Sequence, residues 1–259
     1  MSTRTLATRT SSRRTHVEPL EEDDRPPINC IDCKIGRVSA YGNTLCKSPE
    51  VIANCRQEIV EFKARQTILR AGKVPESLYT IYSGWACRYL DLSNRRRQIL
   101  SFMIPGDVLA LDSLIFPGAP LPFSVMAITP IWLCRFQPDK ILTILNQSGS
   151  QRRETSALLQ RYSSAMCSRL ANIGQRSAAG RIAQLILEIA TRLAKRNLAE
   201  DDNFDFPLRQ EDIGDALGLT TEHVNRTLVE LRKNRVIALA RDELEILDRP
   251  ALQQIADEE

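Results

Sequence analysis

Two short amphipathic segments joined at a glycine form the clearest hydrophobic pattern in this chain. Residues 210–217 place Ile213, Ala216 and Leu217 at helical spacing, which predicts a helix with one apolar face. Gly218 follows directly, and glycine readily adopts the positive φ found after a helix C-terminus. We therefore predict that this helix ends in a sharp turn.

A second helix is predicted to start at Thr221, capped by the hydroxyl of Thr220 or Thr221. Gly214 in the first helix would let the two helices approach closely. This spacing is typical of a helix-turn-helix, in which the second helix enters the DNA major groove. The alternative is an ordinary helical hairpin with a solvated charged face. The apolar face of the second helix comprises Val224, Leu228 and Leu231.

The outer side of the second helix carries side chains that can read base edges. Glu222, Asn225 and Arg226 fall at i, i+3 and i+4, so they project together. Arginine can bond to guanine O6 and N7, glutamate can accept from cytosine N4, and asparagine can read adenine or a phosphate. The residues predicted to contact DNA are Thr221, Glu222, Asn225, Arg226, Arg209 and Arg232.

Between about Ile59 and Pro138 the pattern changes to short runs of β-branched and aromatic residues, separated by glycine and proline turns. This spacing predicts an antiparallel β-roll or barrel. The triplet Arg95-Arg96-Arg97 falls at an expected hairpin tip and is predicted to be solvated. The predicted strands are Thr67–Leu69, Leu78–Tyr82, Ala86–Leu92, Gln98–Met103 and Val125–Phe136.

A long helical pattern runs from about Asp139 to Ser177. In its second part, apolar side chains recur at spacings of three and four, a stripe that fits a two-helix seam better than a buried core helix. Self-association of this helix is the favoured interpretation, and packing on the chain's own β-roll is the alternative. The predicted dimer-interface residues are Leu159, Tyr162, Met166, Leu170 and Ile173.

Around the predicted helix-turn-helix, the pattern indicates three further elements. A helix over Ala178–Leu193 would bury Ile182, Leu185, Ile186 and Ile189, and Asn197–Pro207 reads as an acidic loop. Val236–Ala240 and Glu243–Leu247 flank a two-residue turn, which predicts a hairpin wing beside the helix pair.

The composition is that of a soluble globular protein with one to three domains: 259 residues, 43% hydrophobic and 26% charged. No apolar run approaches the about 18 residues of a membrane helix, and no apolar segment follows the N-terminal arginines. We therefore expect a cytoplasmic protein. Residues 1–29 lack hydrophobic periodicity and are predicted to form a disordered tail.

Bulk charge does not support DNA binding. The formal net charge is +3, but residues 176–259, which contain the predicted helix-turn-helix, carry 12 basic and 17 acidic side chains. Only residues 220–235 are locally basic, with four basic and two acidic side chains. Specificity is therefore expected from the arrangement of individual side chains.

Seven cysteines, an odd number, argue against a disulfide framework. Cys30 and Cys33 form a C-x-x-C pair, and Cys46 follows after a glycine-containing loop, an arrangement that can bind one metal centre. A four-ligand site needs one further residue, and thiol redox chemistry is the other common use of such a pair. The candidates for the fourth ligand are Cys55, Cys87, Cys134 and Cys167.

An enzyme is not indicated. His16 lies in the predicted tail and His223 on the predicted DNA-facing helix, so no Cys–His or Ser–His pair is expected. No phosphate-binding glycine loop occurs either. A zinc-stabilised adaptor without DNA function is a third interpretation.

The order of these parts resembles the Crp/Fnr transcription regulators from Cys30 to the C-terminus. The resemblance rests on LYTIYSG and FMIPGDVLALD, on the long helix, and on IGDALGLTTEHVNRTLVELRK. It implies an α+β chain with a cyclic-nucleotide-binding-like β-roll, a dimerisation helix and a winged helix-turn-helix. Such a chain would bind palindromic promoter DNA as a homodimer, with RNA polymerase as a further partner. The corresponding segments are 1–29, 30–138, 139–177 and 178–259.

In the Fnr branch of that family, the recognition helix carries the motif E-x-x-S-R. Here the matching residues are Glu222, Asn225 and Arg226, with Asn in place of Ser. The resemblance implies that Glu222 and Arg226 read G·C pairs. The substitution leaves open how the outer, A·T-rich part of the half-site is read.

The resemblance also bears on the effector. Cyclic-nucleotide members hold the phosphate with an Arg-Ser pair, whereas residues 118–124 here contain no arginine, which argues against a cyclic nucleotide. Oxygen-sensing Fnr members hold a [4Fe-4S] cluster with three N-terminal cysteines and one in the last β-roll strands. Cys30, Cys33 and Cys46 resemble the first three, and Cys134 resembles the fourth. The gap before Cys46 is longer than usual, and Cys55 is the alternative to it.

Overall fold

The computed structural model describes most of the chain, and for several positions between 145 and 173 it describes the backbone alone. The described residues are 25–27, 30, 33–39, 53–93, 96–114, 116–147 and 149–258.

The N-terminal half forms a β-roll of two four-stranded antiparallel sheets. The strands are β1 (Arg56–Phe62), β2 (Thr67–Leu69), β3 (Leu78–Ser83), β4 (Ala86–Asp91), β5 (Arg97–Met103), β6 (Val108–Leu109), β7 (Ser124–Ala127) and β8 (Ile131–Phe136). One sheet has the order β1-β8-β3-β6 and the other β2-β7-β4-β5. The predicted β-roll is therefore confirmed.

The strand predictions differ from the structure in two respects. The run Val125–Phe136 divides into β7 and β8, which belong to different sheets. Neither β1 nor β6 is among the predicted strands. Because β1 is an edge strand with charged residues, it lacks a continuous apolar run, and two-residue β6 is too short to show a period.

The last part of the predicted disordered tail packs on the β-roll. Pro26 is buried, and the Arg25 guanidinium carbon lies 5.6 Å from the centroid of the Trp132 ring. Arg56 Nη1 donates to the Pro27 carbonyl oxygen at 3.0 Å. The prediction of disorder is therefore wrong for residues 25–27.

A short helix, α1 (Lys34–Val38), precedes the roll, and two helices follow it: α2 (Pro138–Gln147) and α3 (Gly149–Gln175). The pattern predicted a single helix over these last two. Met166 is half-buried and Leu170 is 72% exposed. Exposure of a leucine in the isolated chain is what a dimer-interface position is expected to show. The side chains of Leu159, Tyr162 and Ile173 lie outside the described residues, so the dimer interface stays a prediction. None of the described helices is long and apolar enough to cross a lipid bilayer.

The C-terminal domain is built around α4 (Ala178–Ala194), whose four predicted core residues are all buried. Packed with it are α5 (Gln210–Leu217), α6 (Thr221–Lys233) and α7 (Arg249–Asp257). Ile99 and Phe102 of β5 belong to the same buried cluster as Ile186 and Ile213. The core of the C-terminal domain is thus continuous with one face of the β-roll.

The predicted wing hairpin is confirmed as β10 (Ile237–Ala240) and β11 (Glu243–Ile246). A third strand, β9 (Asn203–Asp205), pairs with β11 inside the segment predicted to be an acidic loop. Phe204 and Phe206 are both buried next to this sheet. The loop prediction is therefore wrong here, because the surrounding acidic residues obscure the alternation of two phenylalanines with polar residues.

Candidate DNA-binding surface and cysteine site

Helices α5 and α6 meet at a tight turn. Gly218 has a φ of 67°, in the left-handed region that favours glycine. The Thr220 hydroxyl caps α6 by accepting the backbone N–H of His223 at 3.3 Å. Val224 and Leu228 are buried on the inner face of α6. The local signals for a helix-turn-helix therefore all produce the expected geometry.

Gly214 is required by a close backbone contact. A Cβ atom at this position would lie 2.7 Å from the carbonyl oxygen of Leu219, a distance that real Cβ atoms essentially never show. Leu219 lies in the turn rather than in α6. The expectation that Gly214 lets the two helices approach closely is corrected accordingly: the residue makes room for the turn between them.

Replacing Gly214 with alanine is expected to lower the free energy of unfolding by roughly 1–2 kcal/mol, because overpacking costs more than the helical gain from alanine. Thermal unfolding followed by circular dichroism measures this. Gly174→Ala is the matched control, because no atom lies within 4 Å of its Cβ position. Equal melting temperatures for the two variants would contradict the argument.

The predicted reading residues all lie on the exposed face of α6. Glu222 and Arg226 have side chains that are 81% and 61% exposed, and Glu222 Oε1 accepts from Arg226 Nη2 at 3.0 Å. Asn225 Oδ1 accepts from Gln210 Nε2 of α5 at 3.1 Å. The structure therefore brings this group together on one surface, although Asn225 must exchange its bond to Gln210 to read a base.

The other three predicted contacts border this surface. Thr221 begins α6, Arg209 directly precedes α5, and Arg232 lies in the last turn of α6; all three are exposed. The N-terminus of α5 and both ends of a recognition helix are the positions from which arginines commonly contact phosphates.

Three of the four predicted cysteine ligands lie together. Cys30, Cys33 and Cys134 are buried and line one cavity of about 30 Å³ between the α1 segment and strands β3 and β8. Cys33 Sγ accepts the backbone N–H of Gly36 at 3.2 Å. Cys46 lies outside the described residues.

Burial controls the acidity of the Cys30 and Cys134 thiols. It raises the pKa of Cys134 to about 12, and the nearby Arg56 guanidinium opposes this only in part. Burial also raises the pKa of Cys30, again against the effect of Arg56. Without a metal, these two groups are protonated at neutral pH and are poor nucleophiles.

The residues around the cavity offer a hydrogen-bond donor and a positive charge, which suit an anionic, sulfur-rich group. Thr80 Oγ1, which lines the cavity, is buried and has no hydrogen-bond partner in the described part of the chain, so its O–H is available to a sulfur atom. Arg56 places positive charge beside Cys30 and Cys134. Within the described residues, no three His, Cys, Asp or Glu side chains are grouped closely enough to hold a metal ion. Cys30, Cys33 and Cys134 therefore line one cavity without forming a metal site by themselves.

Comparisons with known proteins agree with both halves of the fold. The family model of the Crp-like helix-turn-helix domain matches residues 180–255, and that of the cyclic nucleotide-binding domain matches residues 59–148. The chain belongs to the Crp/Fnr family of transcription regulators. Members of this family are DNA-binding regulators rather than enzymes.

Several Crp/Fnr relatives match over most of their length. The chain is 28% identical to nitrogen fixation regulation protein FixK of Bradyrhizobium diazoefficiens, over 88% of this chain and 93% of that protein. It is 23% identical to the fumarate and nitrate reduction regulatory protein of Escherichia coli K12, over 88% and 90%. The solved structure of FixK2 from Bradyrhizobium japonicum has the same fold, with a TM-score of 0.68, 24% identity, and 76% and 96% coverage.

Two polar side chains inside the β-roll of this Crp/Fnr chain are engaged by the chain itself. Arg88 is buried, with its guanidinium carbon 4.7 Å from the centroid of the Phe123 ring. Ser124 Oγ accepts the backbone N–H of Ala71 at 3.1 Å. The match to a cyclic nucleotide-binding domain therefore describes the fold, and the absence of a cyclic nucleotide stays a prediction.

One basic residue has a role that the sequence pattern did not indicate. Arg97 belongs to β5 and bonds to two aspartates of α5, so the prediction that this arginine is solvated is wrong. Arg65 reaches one of the same aspartates. The sequence could not indicate this role, because the aspartates that bind Arg97 lie more than a hundred residues further along the chain.

Proposed function

We propose that this regulator binds a two-fold symmetric promoter site as a homodimer and responds to oxygen or redox state through a [4Fe-4S] cluster. The ligands would be Cys30, Cys33, Cys46 and Cys134. The observation that carries the proposal is the meeting of Cys30 and Cys33 with Cys134 at one cavity, although about a hundred residues separate them in sequence. We place the protein in the cytoplasm.

The relatives support an anaerobic role. One is the anaerobic regulatory protein of Pasteurella multocida, 23% identical over 88% of this chain, and the Escherichia coli relative is named for fumarate and nitrate reduction. A bound cluster supplies a centre that oxygen converts or destroys. The four cysteines would hold it, the Arg56 guanidinium would offset its negative charge, and the Thr80 hydroxyl could donate to one of its sulfur atoms.

The cysteine site is connected to the helices that follow the β-roll. Cys134 shares a buried cluster with Phe136 at the end of β8 and with Ile141 in α2. Helix α2 leads into α3, where exposed Leu170 belongs to the proposed dimer seam. A displacement of Cys134 can therefore be transmitted through Phe136 and Ile141 to α2, which is followed directly by the seam helix α3. Dimerisation would set two α6 helices about one DNA turn apart.

The deciding experiment is purification without oxygen, followed by an absorption spectrum and assays for iron and sulfide. We expect a coloured protein with about four iron atoms and four sulfides per protomer. Cys134→Ser is expected to remove the iron, because one of four ligands is lost. Cys167→Ser is the matched control, since Cys167 is exposed on α3, and it should retain the full iron content.

A colourless, iron-free wild-type protein that still binds DNA specifically would contradict the proposal that a cluster is bound. It would leave an effector-independent or thiol-sensitive regulator of the same family. A protein that contains one zinc ion and no iron would point instead to a structural metal site, and DNA binding would then decide between a regulator and an adaptor.

A further inference from the structure

A buried carboxylate of the helix-turn-helix is held by two arginines of the β-roll. The Asp212 side chain on α5 is 0% exposed. Its Oδ1 lies 2.6 Å from Arg65 Nη1 and 2.7 Å from Arg97 Nη2, and its Oδ2 lies 2.7 Å from Arg65 Nη2. Charge-assisted, bidentate contacts of this kind fix direction as well as distance. We call Arg65, Arg97, Asp212 and Asp215 the interdomain latch.

The remaining contacts of the latch extend along α5. Arg97 Nε donates to Asp215 Oδ2 at 2.5 Å, and the neighbouring Gln98 Nε2 donates to the Asp215 carbonyl oxygen at 2.7 Å. Asp212 Oδ2 also accepts the backbone N–H of Arg209 at 3.2 Å. One carboxylate thus both caps α5 and joins it to the β-roll.

The backbone of the β-roll is shaped to present Arg65. This residue has a φ of 66°, a left-handed conformation that non-glycine residues rarely adopt. It is held there by its backbone N–H, which donates to the Ala127 carbonyl oxygen at 2.8 Å. Hydrogen bonding to Asp212 raises the pKa of the Arg65 guanidinium.

The latch is one of two clusters of salt bridges that join the C-terminal domain to the β-roll within the described residues. The other joins Asp107 of the β-roll to Arg192 of α4 and to Arg196 just beyond the end of α4, each at 2.6 Å. The domains also share an apolar core, but apolar packing is not directional, whereas these ion pairs restrict rotation of one domain against the other. The reading face remains open while the latch is closed, because Glu222 and Arg226 are exposed.

We propose that Arg65 and Arg97, acting on Asp212, are positioning residues that set the orientation of α6 relative to the β-roll and thereby determine the half-site spacing that the dimer accepts. The inference rests on the proposed dimeric binding. Two recognition helices must reach half-sites whose centres are about 34–36 Å apart. A domain that swivels can reach other spacings, but it loses affinity at the native one.

The test compares wild type with the double variant Arg65→Gln/Arg97→Gln on a symmetric site that the wild type selects from random DNA. A second duplex carries two extra base pairs between the half-sites, which rotates one half-site by roughly 70°. Wild type should strongly prefer the selected spacing. In the double variant we expect the affinity for that spacing to fall about tenfold and the preference between spacings to fall at least about tenfold.

Arg135→Gln is the matched control, because Arg135 pairs with exposed Glu58 far from α5, and it should behave as wild type. An unchanged preference between spacings in the double variant, with weaker binding to both duplexes, would overturn the inference. If the double variant does not fold, Asp215→Asn removes one contact only; a smaller loss of preference is then expected, and none would overturn the inference. Equal binding of both duplexes by wild type would refute dimeric binding itself.

Discussion

Replacing Asp107 with asparagine is expected to lower the free energy of unfolding by about 3 kcal/mol. Asp107 is buried and accepts from Arg192 and Arg196 at 2.6 Å each, and from the backbone N–H of Ile104 at 2.9 Å. Its loss removes the carboxylate that the Arg192 and Arg196 guanidinium groups share, so their like charges repel one another. We place the cost at the low end for buried pairs because both arginines are partly exposed.

The effect should depend on pH in a defined direction. Burial alone would raise the pKa of Asp107, but Arg192 and Arg196 outweigh it and hold the pKa below its ordinary value. The stabilisation is therefore fully present above the unfolded-state pKa of about 4 and is lost as the pH falls through the lower folded-state value. The difference in melting temperature between wild type and Asp107→Asn should be constant near neutrality and shrink below about pH 4.

Chemical and thermal unfolding of the two proteins measure both effects. Glu58→Ala is the matched control, because Glu58 pairs with Arg135 at the surface and exposed pairs contribute about 0–1 kcal/mol. If the difference in melting temperature between wild type and Asp107→Asn grows at low pH, the folded protein does not stabilise the Asp107 carboxylate as an anion.

The parts of this fold that could be predicted are those whose signals are local. The helix-turn-helix follows from Gly214, Gly218 and Thr220, which all lie within seven residues of one another. Helix α4 follows from a clear apolar stripe. Edge strand β1, two-residue β6 and β9 could not be predicted in the same way, because their pairing partners rather than their own residues define them.

The candidate sites show the same division. Glu222 and Arg226 could be placed on one surface because helical spacing alone brings them together. The meeting of Cys134 with Cys30 could be expected only through a family resemblance, since no local pattern joins residues so far apart. Arg65 and Arg97 could not be assigned at all, because Asp212, their partner, belongs to another domain.

Replacing Arg226 with alanine is expected to weaken binding to the selected DNA site by about 1–3 kcal/mol, a factor of roughly 5–150. The reason is the loss of a bidentate contact to guanine. Stability should change little, because the pair with Glu222 is exposed and such pairs contribute little to folding. Weaker binding can therefore be attributed to the lost contact.

Gel-shift titrations on the selected site and on a scrambled duplex measure this, and Arg232→Ala is the matched control. Arg232 is exposed at the end of α6, where its guanidinium can contact a phosphate. Its loss should weaken binding to both duplexes equally. The slope of log affinity against log salt concentration should fall in magnitude by about one. Arg226→Ala should instead lose the preference for the selected site. If Arg226→Ala keeps that preference, α6 does not read the bases through Arg226. If neither wild type nor variant prefers any sequence, the zinc-stabilised adaptor becomes the better account of the chain.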